Sequence, residues 1–464
     1  MSEMFAFGPQ SGVLVIGLGR SGLASLEVLR DYGVQLYATD DHPEKIAAAI
    51  AAAQDFGARF VAPDEIDSIV PALTCAVLSP GVPPTSPVVR RVHAFDLPVI
   101  GEIELAYRLC KAPIVAVTGT KGKSTTTALI GHLLRGCGLA VRVGGNIGNP
   151  LIKEVRDMDA GGWIVAEVSS FQLETIRSFK PRVAVLLNIV PDHLDRYHSM
   201  EEYGEAKYRI FANQSMSDWF VGNLDDPRIR SLHWQRGTRV QARQLWYSLN
   251  HREHATMHVR DARLIYAPVS GDPRPVAIMS RNDIPLPGDH NVQNAMAAVL
   301  AGIAVGCDVA ALREAMRTFR PMPHRLESVA EIEGVLYVDD SKATNPASVI
   351  AALRSFDRPI VLIAGGRSKR STFRAMGAAM RRRVKALVAI GEAGPEIARA
   401  APDVESVEAY SMEEAVHRAR SIASPGDVVL LSPGCASFDM FASAEERGQR
   451  FAAVLAELAE PAGA

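Results

Sequence analysis

A lysine–serine pair closing a glycine-rich loop is the sharpest chemical signal in this sequence. In PIVAVTGTKGKSTTT (113–127) a β-prone run enters Gly119-Thr120-Lys121-Gly122-Lys123-Ser124-Thr125, and a helix-prone run follows. Backbone N–H groups of such a loop cradle phosphates. A lysine at position 123 sets its charge on the β/γ-phosphates, and the Ser124 hydroxyl ligates Mg²⁺. The ordinary Walker spacing puts glycine at position 117. This chain has Val117, so the loop is a variant.

Later runs end in groups suited to the same chemistry. WIVAEVSSFQLE places Glu167 among neighbours that read as buried (Trp163, Val165, Val168). A carboxylate there can hold Mg²⁺, and left unpaired it would be costly. The next run leads into Asn188-Ile-Val-Pro-Asp192-His193-Leu-Asp195, whose acids favour a metal or phosphate role for His193 over a structural one. Lys207, in YGEAKYRIF, reads from pattern alone as a solvated helix lysine. Asn291 and Asn294 lie three apart on one helix face. They either read an adenine edge or cap the helix, and capping is the plainer reading.

Near the start, Gly17-Leu-Gly19-Arg20-Ser21-Gly22 follows one β-prone run and Asp40-Asp41 closes the next. Glycines there allow a tight turn and close approach of N–H groups to a phosphate. The acids stand near a ribose-binding position. A nicotinamide or flavin, another nucleotide diphosphate, and a purely structural turn all stay open on this motif alone. Toward the other end, VLYVDDSKATNP carries Asp339, Asp340, Lys342 and Thr344. IVLIAGGRSKRS carries Gly365, Gly366 and Lys369, and GDVVLLSPGCASFDMF carries Ser432, Ser437 and Phe438. Together they suit a carboxylate-binding rim, although any one alone is ordinary loop chemistry.

The elements that must position these groups are β-rich runs alternating with Ala- and Leu-rich helical stretches, hence an α/β fold with mostly parallel sheets. Strands are predicted at 13–16, 35–38, 76–78, 114–118, 163–167, 184–188, 336–338, 360–364, 386–390 and 428–431. Breaks near 111–113 and 319–327 divide the chain into units 1–110, 111–321 and 322–464. The stretch 231–287 reads as a small antiparallel addition, and the end, ELAEPAGA, as a frayed tail. Over 464 residues, 48% hydrophobic and 22% charged content excludes disorder for most of the length. Fifty basic against 52 acidic side chains leave a net charge of −2, which argues against a nucleic-acid partner or a polybasic membrane surface. No apolar run nears the ~18 residues of a membrane span, and the opening residues lack a signal-peptide pattern. Five scattered cysteines with no CxxC support neither a disulfide framework nor a zinc site. A cytoplasmic protein is expected.

The combined motifs resemble those of the bacterial Mur ligases: TGTKGKST (118–125), AEVSSFQLE (166–174), NIVPDHLDRY (188–197), HNVQNA (290–295), PHR (323–325), DDSKATNP (339–346) and SPGCASFDMF…ERG (432–448). The resemblance spans nearly the whole chain. The loop, the glutamate and the histidine are shared with folylpolyglutamate synthases. SKATN and SPxxASFD point to the D-glutamate-adding branch, and no DNPR-like segment of the diaminopimelate-adding branch is present. The resemblance implies a Rossmann-like N-terminal domain, a central P-loop ATPase-like domain and a Rossmann-like C-terminal domain. The implied reaction is ATP-dependent ligation of D-glutamate to UDP-N-acetylmuramoyl-L-alanine through an acyl phosphate, in peptidoglycan precursor synthesis.

The same resemblance implies catalytic roles for Lys123, Glu167, His193 and Lys207. Two Mg²⁺ ions would be held by Ser124, Glu167, His193 and a carbamylated Lys207, against the pattern-based reading of that lysine. ATP contacts fall at Gly119, Thr120, Lys121, Gly122, Lys123, Ser124, Thr125, Asn291, Asn294, Arg325 and Asp340. The first glycine loop is assigned to UDP rather than NAD, with Arg20, Ser21, Asp40, Asp41, Ser79, Gly81 and Asn146. D-Glutamate contacts fall at Lys342, Thr344, Lys369 and Ser437. Two positions depart from the family pattern: His42, where arginine is frequent on the uracil side, and Ala444, where an aromatic is frequent. Arg447 follows it. A monomer whose C-terminal unit closes onto the central one is expected. The alternatives are another Mur or folylpolyglutamate-type amide ligase and, more remotely, an NAD-binding oxidoreductase.

Overall fold

The computed structural model describes residues 11–193, 196–234, 239–250, 253–268, 274–286, 288–320, 323–368 and 372–459. The chain forms two compact units, 1–281 with 293–318 and 282–292 with 319–464. The first unit holds two sheets. One is fully parallel, made from β1 (Gly12–Ile16), β2 (Gln35–Thr39), β3 (Arg59–Phe60), β4 (Leu73–Leu78) and β5 (Val99–Gly101), in the order β3-β2-β1-β4-β5. The other has nine strands: β6 (Ile114–Thr118), β7 (Val141–Gly145), β8 (Trp163–Glu167), β9 (Val183–Leu186), β10 (Trp219–Asn223), β11 (Arg243–Ser248), β12 (Met257–Arg260), β13 (Arg263–Tyr266) and β14 (Val276–Ser280). Their order is β14-β13-β12-β11-β10-β9-β6-β8-β7.

The second unit holds β15 (Glu327–Ile332), β16 (Val335–Asp339), β17 (Ile360–Gly365), β18 (Val384–Ile390), β19 (Glu405–Ala409) and β20 (Val428–Gly434), in the order β15-β16-β20-β17-β18-β19. Helices cover both faces, and the strand periodicity shows it. Ile360, Leu362 and Ala364 of β17 join one core with Val349, Met376 and Ile397. Val361 and Ile363 join the other with Met412, Val416 and Phe451.

All ten predicted strands exist. The 231–287 stretch holds the expected antiparallel addition, but only in its later part. β11 lies parallel beside β10 and β12 parallel beside β11; only β12-β13-β14 run antiparallel, lengthening the central sheet at its edge. No helix among the described residues is long and apolar enough to cross a membrane.

Strand order places the crevices. In the first sheet the connections diverge between β1 and β4, and in the second between β6 and β9. Ligands of parallel sheets bind at such switch points, outside the carboxyl ends of the strands.

Two buried glutamates on the helix Glu102–Leu109 join the two sheets of the first unit and titrate in opposite directions. Burial pushes Glu104 up, but the hydroxyl and N–H of Ser178, the N–H groups of Arg177 and Phe179, and Arg108 more than offset it, so its carboxyl lies below the ordinary range. Glu102 accepts only from the backbone at the start of the helix Leu151–Arg156, with Ile152 N at 2.7 Å, and burial pushes it to about 7. The fold therefore keeps a proton that the unfolded chain releases between about 4.5 and 7. Across that window Glu102 lowers stability as pH rises, by up to about 1.4 kcal/mol per pH unit. Glu102→Gln should flatten the fall in melting temperature between pH 4.5 and 7 relative to the unaltered chain. An unchanged slope would mean that the buried carboxyl is ionised.

Candidate active site

The loop after β6 is shaped by its neighbours. Gly122 has φ +82° and caps the helix Lys123–Gly136; a Cβ there would lie 2.4 Å from Asn294 Oδ1, so Asn294 is placed against the loop itself. Lys123 Nζ donates to the carbonyls of Gly119 (3.0 Å) and Thr120 (2.9 Å), and Ser124 stands in the first helical turn. Asn188 follows β9, the strand beside β6. Its Oδ1 accepts from the N–H groups of Thr120 (3.2 Å) and Lys121 (2.8 Å), and its Nδ2 donates to Lys121 O (3.0 Å). Thr120 Oγ1 lies 3.2 Å from the hydroxyl of buried Tyr203.

Asn188 and Tyr203 were not among the predicted site residues. The position of Asn188 at the end of a predicted strand was the available signal. Asn188→Ala should leave the protein folded and cut turnover by about 10²-fold, because the loop loses the amide that sets its shape. Steady-state rates with unchanged thermal stability check this; full activity would reject it.

Three further groups gather on the same edge. Glu167 ends β8, 2% exposed. Its Oε1 accepts from Asn146 Nδ2 at 2.8 Å, and its buried Oε2 has no partner among the described residues. A buried carboxylate oxygen left open beside a phosphate loop fits a divalent cation. His193 sits at φ +55° with its ring edge-on to Phe171 at 4.9 Å. Beside it, burial alone would raise Asp192, but Lys121 (3.3 Å) and His193 hold the carboxyl below its ordinary range. Asp195 lies outside the described residues.

Lys207 is 1% exposed on the helix Met200–Tyr208, so it is no solvated lysine. The pattern-based reading failed because the buried face of this short helix is set by tertiary packing. Nζ donates to Gly119 O at 2.9 Å and lies 4.6 Å from the Tyr203 ring centroid. Burial, then the Lys123 cation, lowers its pKa well below the usual ammonium range.

The second crevice is a cleft of about 960 Å³ at the β1/β4 switch point. It brings together all seven predicted residues: Arg20, Ser21, Asp40, Asp41, Ser79, Gly81 and Asn146, with His42 on the same wall. Gly17 is needed for its φ of +89°, and a Cβ on Gly22 would strike Gly17 O at 1.9 Å. A structural turn explains both. It does not explain Gly19, which has ordinary φ, meets nothing within 4 Å and faces the cleft. Asp40 spends its carboxylate on the backbone, accepting from Leu18 N (3.0 Å) and His42 N (3.1 Å), so it shapes the loop that lines the cleft.

Residues 117–302 match the family described as the Mur ligase middle domain, and residues 324–435 match the Mur ligase glutamate ligase domain. A UDP-N-acetylmuramoylalanine–D-glutamate ligase of Pelotomaculum thermopropionicum is 44% identical, the match covering 96% of this chain and 97% of that protein. The chain belongs to the Mur ligase family. A ligase of the same name from Acidobacterium capsulatum is 42% identical over 95% of each chain. Among solved structures, UDP-N-acetylmuramate–alanine ligase of Thermotoga maritima superposes with a TM-score of 0.59 at 19% identity, covering 96% of this chain and 99% of that one. MurF ligase of the same organism, in complex with ADP, gives 0.55 at 17%, covering 85% and 92%. These two likenesses concern the fold.

In the second unit of this Mur ligase, the predicted residues cluster at the carboxyl ends of β16 and β20. Asp340 Oδ2 accepts from Ser432 Oγ at 2.8 Å; burial raises its carboxyl to about 7, with Ser432 and Arg325 opposing. Lys342 pairs with Glu445, Thr344 is half-buried, and Ser437 is 2% exposed. Asn291 is buried near the start of the helix Asp289–Val305, its N–H on Gly288 O at 3.0 Å. Lys369 lies outside the described residues. Arg447 is 1% exposed and clamps the two loops: Nε donates to Ser341 Oγ (2.9 Å), Nη2 to Ser341 O (2.8 Å), and both Nη atoms to Cys435 O (3.3 Å). At Ala444 the backbone carbonyl accepts from Ser341 Oγ at 2.7 Å.

Proposed function

We propose that this chain is an ATP-dependent ligase that joins D-glutamate to UDP-N-acetylmuramoyl-L-alanine, a cytoplasmic step of peptidoglycan precursor synthesis. One observation carries the reading: eight relatives named for that activity are 39–44% identical over 95–97% of this chain. The site geometry is consistent with it.

The L-alanyl carboxylate oxygen attacks the γ-phosphorus of ATP, and ADP leaves. The amine of D-glutamate then attacks the acyl carbon, loses a proton, and phosphate leaves as the amide forms. Two anions must approach in the first step, so positive charge has to be in place beforehand. Lys123 supplies it at the loop, with Gly119 to Thr125 around the phosphates. Ser124 and Glu167 would hold one Mg²⁺, and His193 with carbamylated Lys207 a second. When bound, the ions neutralise charge on phosphate and carboxylate oxygens.

Arg20, Ser21, Asp40, Asp41, Ser79, Gly81 and Asn146 take the UDP-linked substrate. Asn291, Asn294, Arg325 and Asp340 take adenine and ribose, and Lys342, Thr344, Lys369 and Ser437 take D-glutamate. We place the domains at 1–110, 111–321 and 322–464, each with one sheet, and expect a monomer.

The test is phosphate release from ATP with Mg²⁺, bicarbonate and UDP-N-acetylmuramoyl-L-alanine, offered D-glutamate, L-glutamate or meso-diaminopimelate. Release with D-glutamate alone is expected. Release with another amino acid moves the chain to a sister ligase, and no release with any of them rejects the reading.

A further inference from the structure

We infer that Asn146 is a positioning residue that ties the UDP-substrate cleft to the carboxylate of Glu167, so that substrate and metal–nucleotide bind cooperatively. The inference rests on the functional reading above. Asn146 lies on the surface and lines the cleft. It also makes two bonds to one residue: its N–H donates to Glu167 O at 2.9 Å, and its Nδ2 donates to Glu167 Oε1 at 2.8 Å. The preceding residue is shaped for that approach. Gly145 has φ +106°, and a Cβ on it would stand 2.4 Å from Glu167 O.

The side-chain bond fixes which carboxylate oxygen is engaged. Oε1 is taken by the amide, and Oε2 is buried without a partner among the described residues. A donor that holds one oxygen presents the other in a set direction, which is how an outer partner tunes a metal carboxylate. The segment that carries Asn146 is held from the substrate side too. Arg20, on the glycine loop of the same cleft, donates through Nη2 to Gly148 O. A diphosphate drawn to Arg20 and a cation drawn to Glu167 therefore act on one four-residue stretch, Gly145 to Gly148. Binding at either end restrains the amide that the other end uses, and such coupling must be equal in both directions.

The test uses the full-length chain with three readouts: Mn²⁺·ADP binding by electron paramagnetic resonance, UDP-N-acetylmuramoyl-L-alanine binding by calorimetry, and thermal unfolding. Asn146→Ala keeps the backbone bond and removes the amide. Asn146→Asp keeps the size and replaces the donor with an acceptor. The unaltered chain should bind Mn²⁺·ADP more tightly when the UDP substrate is present, by about 5-fold or more. In Asn146→Ala Mn²⁺·ADP affinity without substrate should fall by about 10–100-fold, and in both variants the substrate effect should shrink toward one. Unfolding temperatures should be unchanged.

Unaltered Mn²⁺·ADP affinity in Asn146→Ala would overturn the positioning role and leave Asn146 a substrate contact. Absence of coupling in the unaltered chain, with both ligands bound, would overturn the cooperativity. Failure of the unaltered chain to bind the UDP substrate would count against the functional reading instead, while the Mn²⁺·ADP arm still decides what Asn146 does to Glu167.

Discussion

Replacing Lys207 with methionine should lower turnover by about 10³-fold or more while the protein stays folded. Removing CO₂ should slow the unaltered enzyme until bicarbonate is restored. The argument begins with a charge in the wrong place. The amine is 1% exposed and sits between the Gly119 carbonyl and the face of Tyr203, with no ion pair to a carboxylate among the described residues. An ammonium left there is costly, and burial together with the Lys123 cation favours the neutral amine. Only a neutral amine adds CO₂. The carbamate that would result is an anionic oxygen donor of the kind Mg²⁺ prefers, next to the loop proposed to hold phosphates. Methionine keeps the length and removes both the amine and its adduct. A carbamate signal in the ¹³C spectrum under labelled bicarbonate, absent from Lys207→Met, is the direct check. Turnover within tenfold of the unaltered enzyme would end the proposal.

Lys207 also marks where reading from residue pattern stopped. The loop at Gly119–Thr125, the strand-end Glu167 and the first glycine loop were legible because their signals are local: a strand, a turn of fixed residue types, a helix. Lys207 acts on a carbonyl 88 residues away, and nothing in the spacing of its own helix announces that partner. Asn188 was visible as the end of a predicted strand, but its work on Thr120 and Lys121 depends on β9 lying beside β6, a pairing that strand identity alone does not set. Asp40 lines the cleft with the other residues assigned beside it, but its spacing did not show that its oxygens hold Leu18 and His42. In 231–287 the antiparallel strands β12-β13-β14 were expected, but the parallel joining of β11 to β10 and of β12 to β11 was missed, because partners are chosen by the sheet edge a strand joins. Alternation within each strand reads the same for either direction.

Lys123 gives the second large effect, and the contrast with Asn188 sharpens it. Its Nζ rests on two carbonyls of its own loop, Gly119 and Thr120, at 3.0 and 2.9 Å, so the charge is held at the loop mouth before any ligand arrives. Those carbonyls are modest partners for a cation, and phosphate oxygens are better ones. On the proposed reading, ground-state nucleotide binding would already use part of that advantage. In the proposed reaction the larger gain would come when a carboxylate approaches the γ-phosphate and negative charge accumulates between them. Interactions that strengthen only at that stage raise kcat rather than lower KM. Lys123→Ala should therefore reduce kcat by about 10³-fold or more, with a much smaller change in KM for ATP. Lys123→Arg should recover little, because a planar fork cannot reproduce a point charge seated on two adjacent carbonyls. Asn188→Ala, by contrast, disturbs the loop proposed to bind ground-state phosphates as well, and should raise KM together with its loss in kcat. Phosphate-release kinetics across ATP concentrations separate the two cases. A Lys123→Ala enzyme whose defect lay wholly in KM would show that Lys123 holds nucleotide without favouring the transition state.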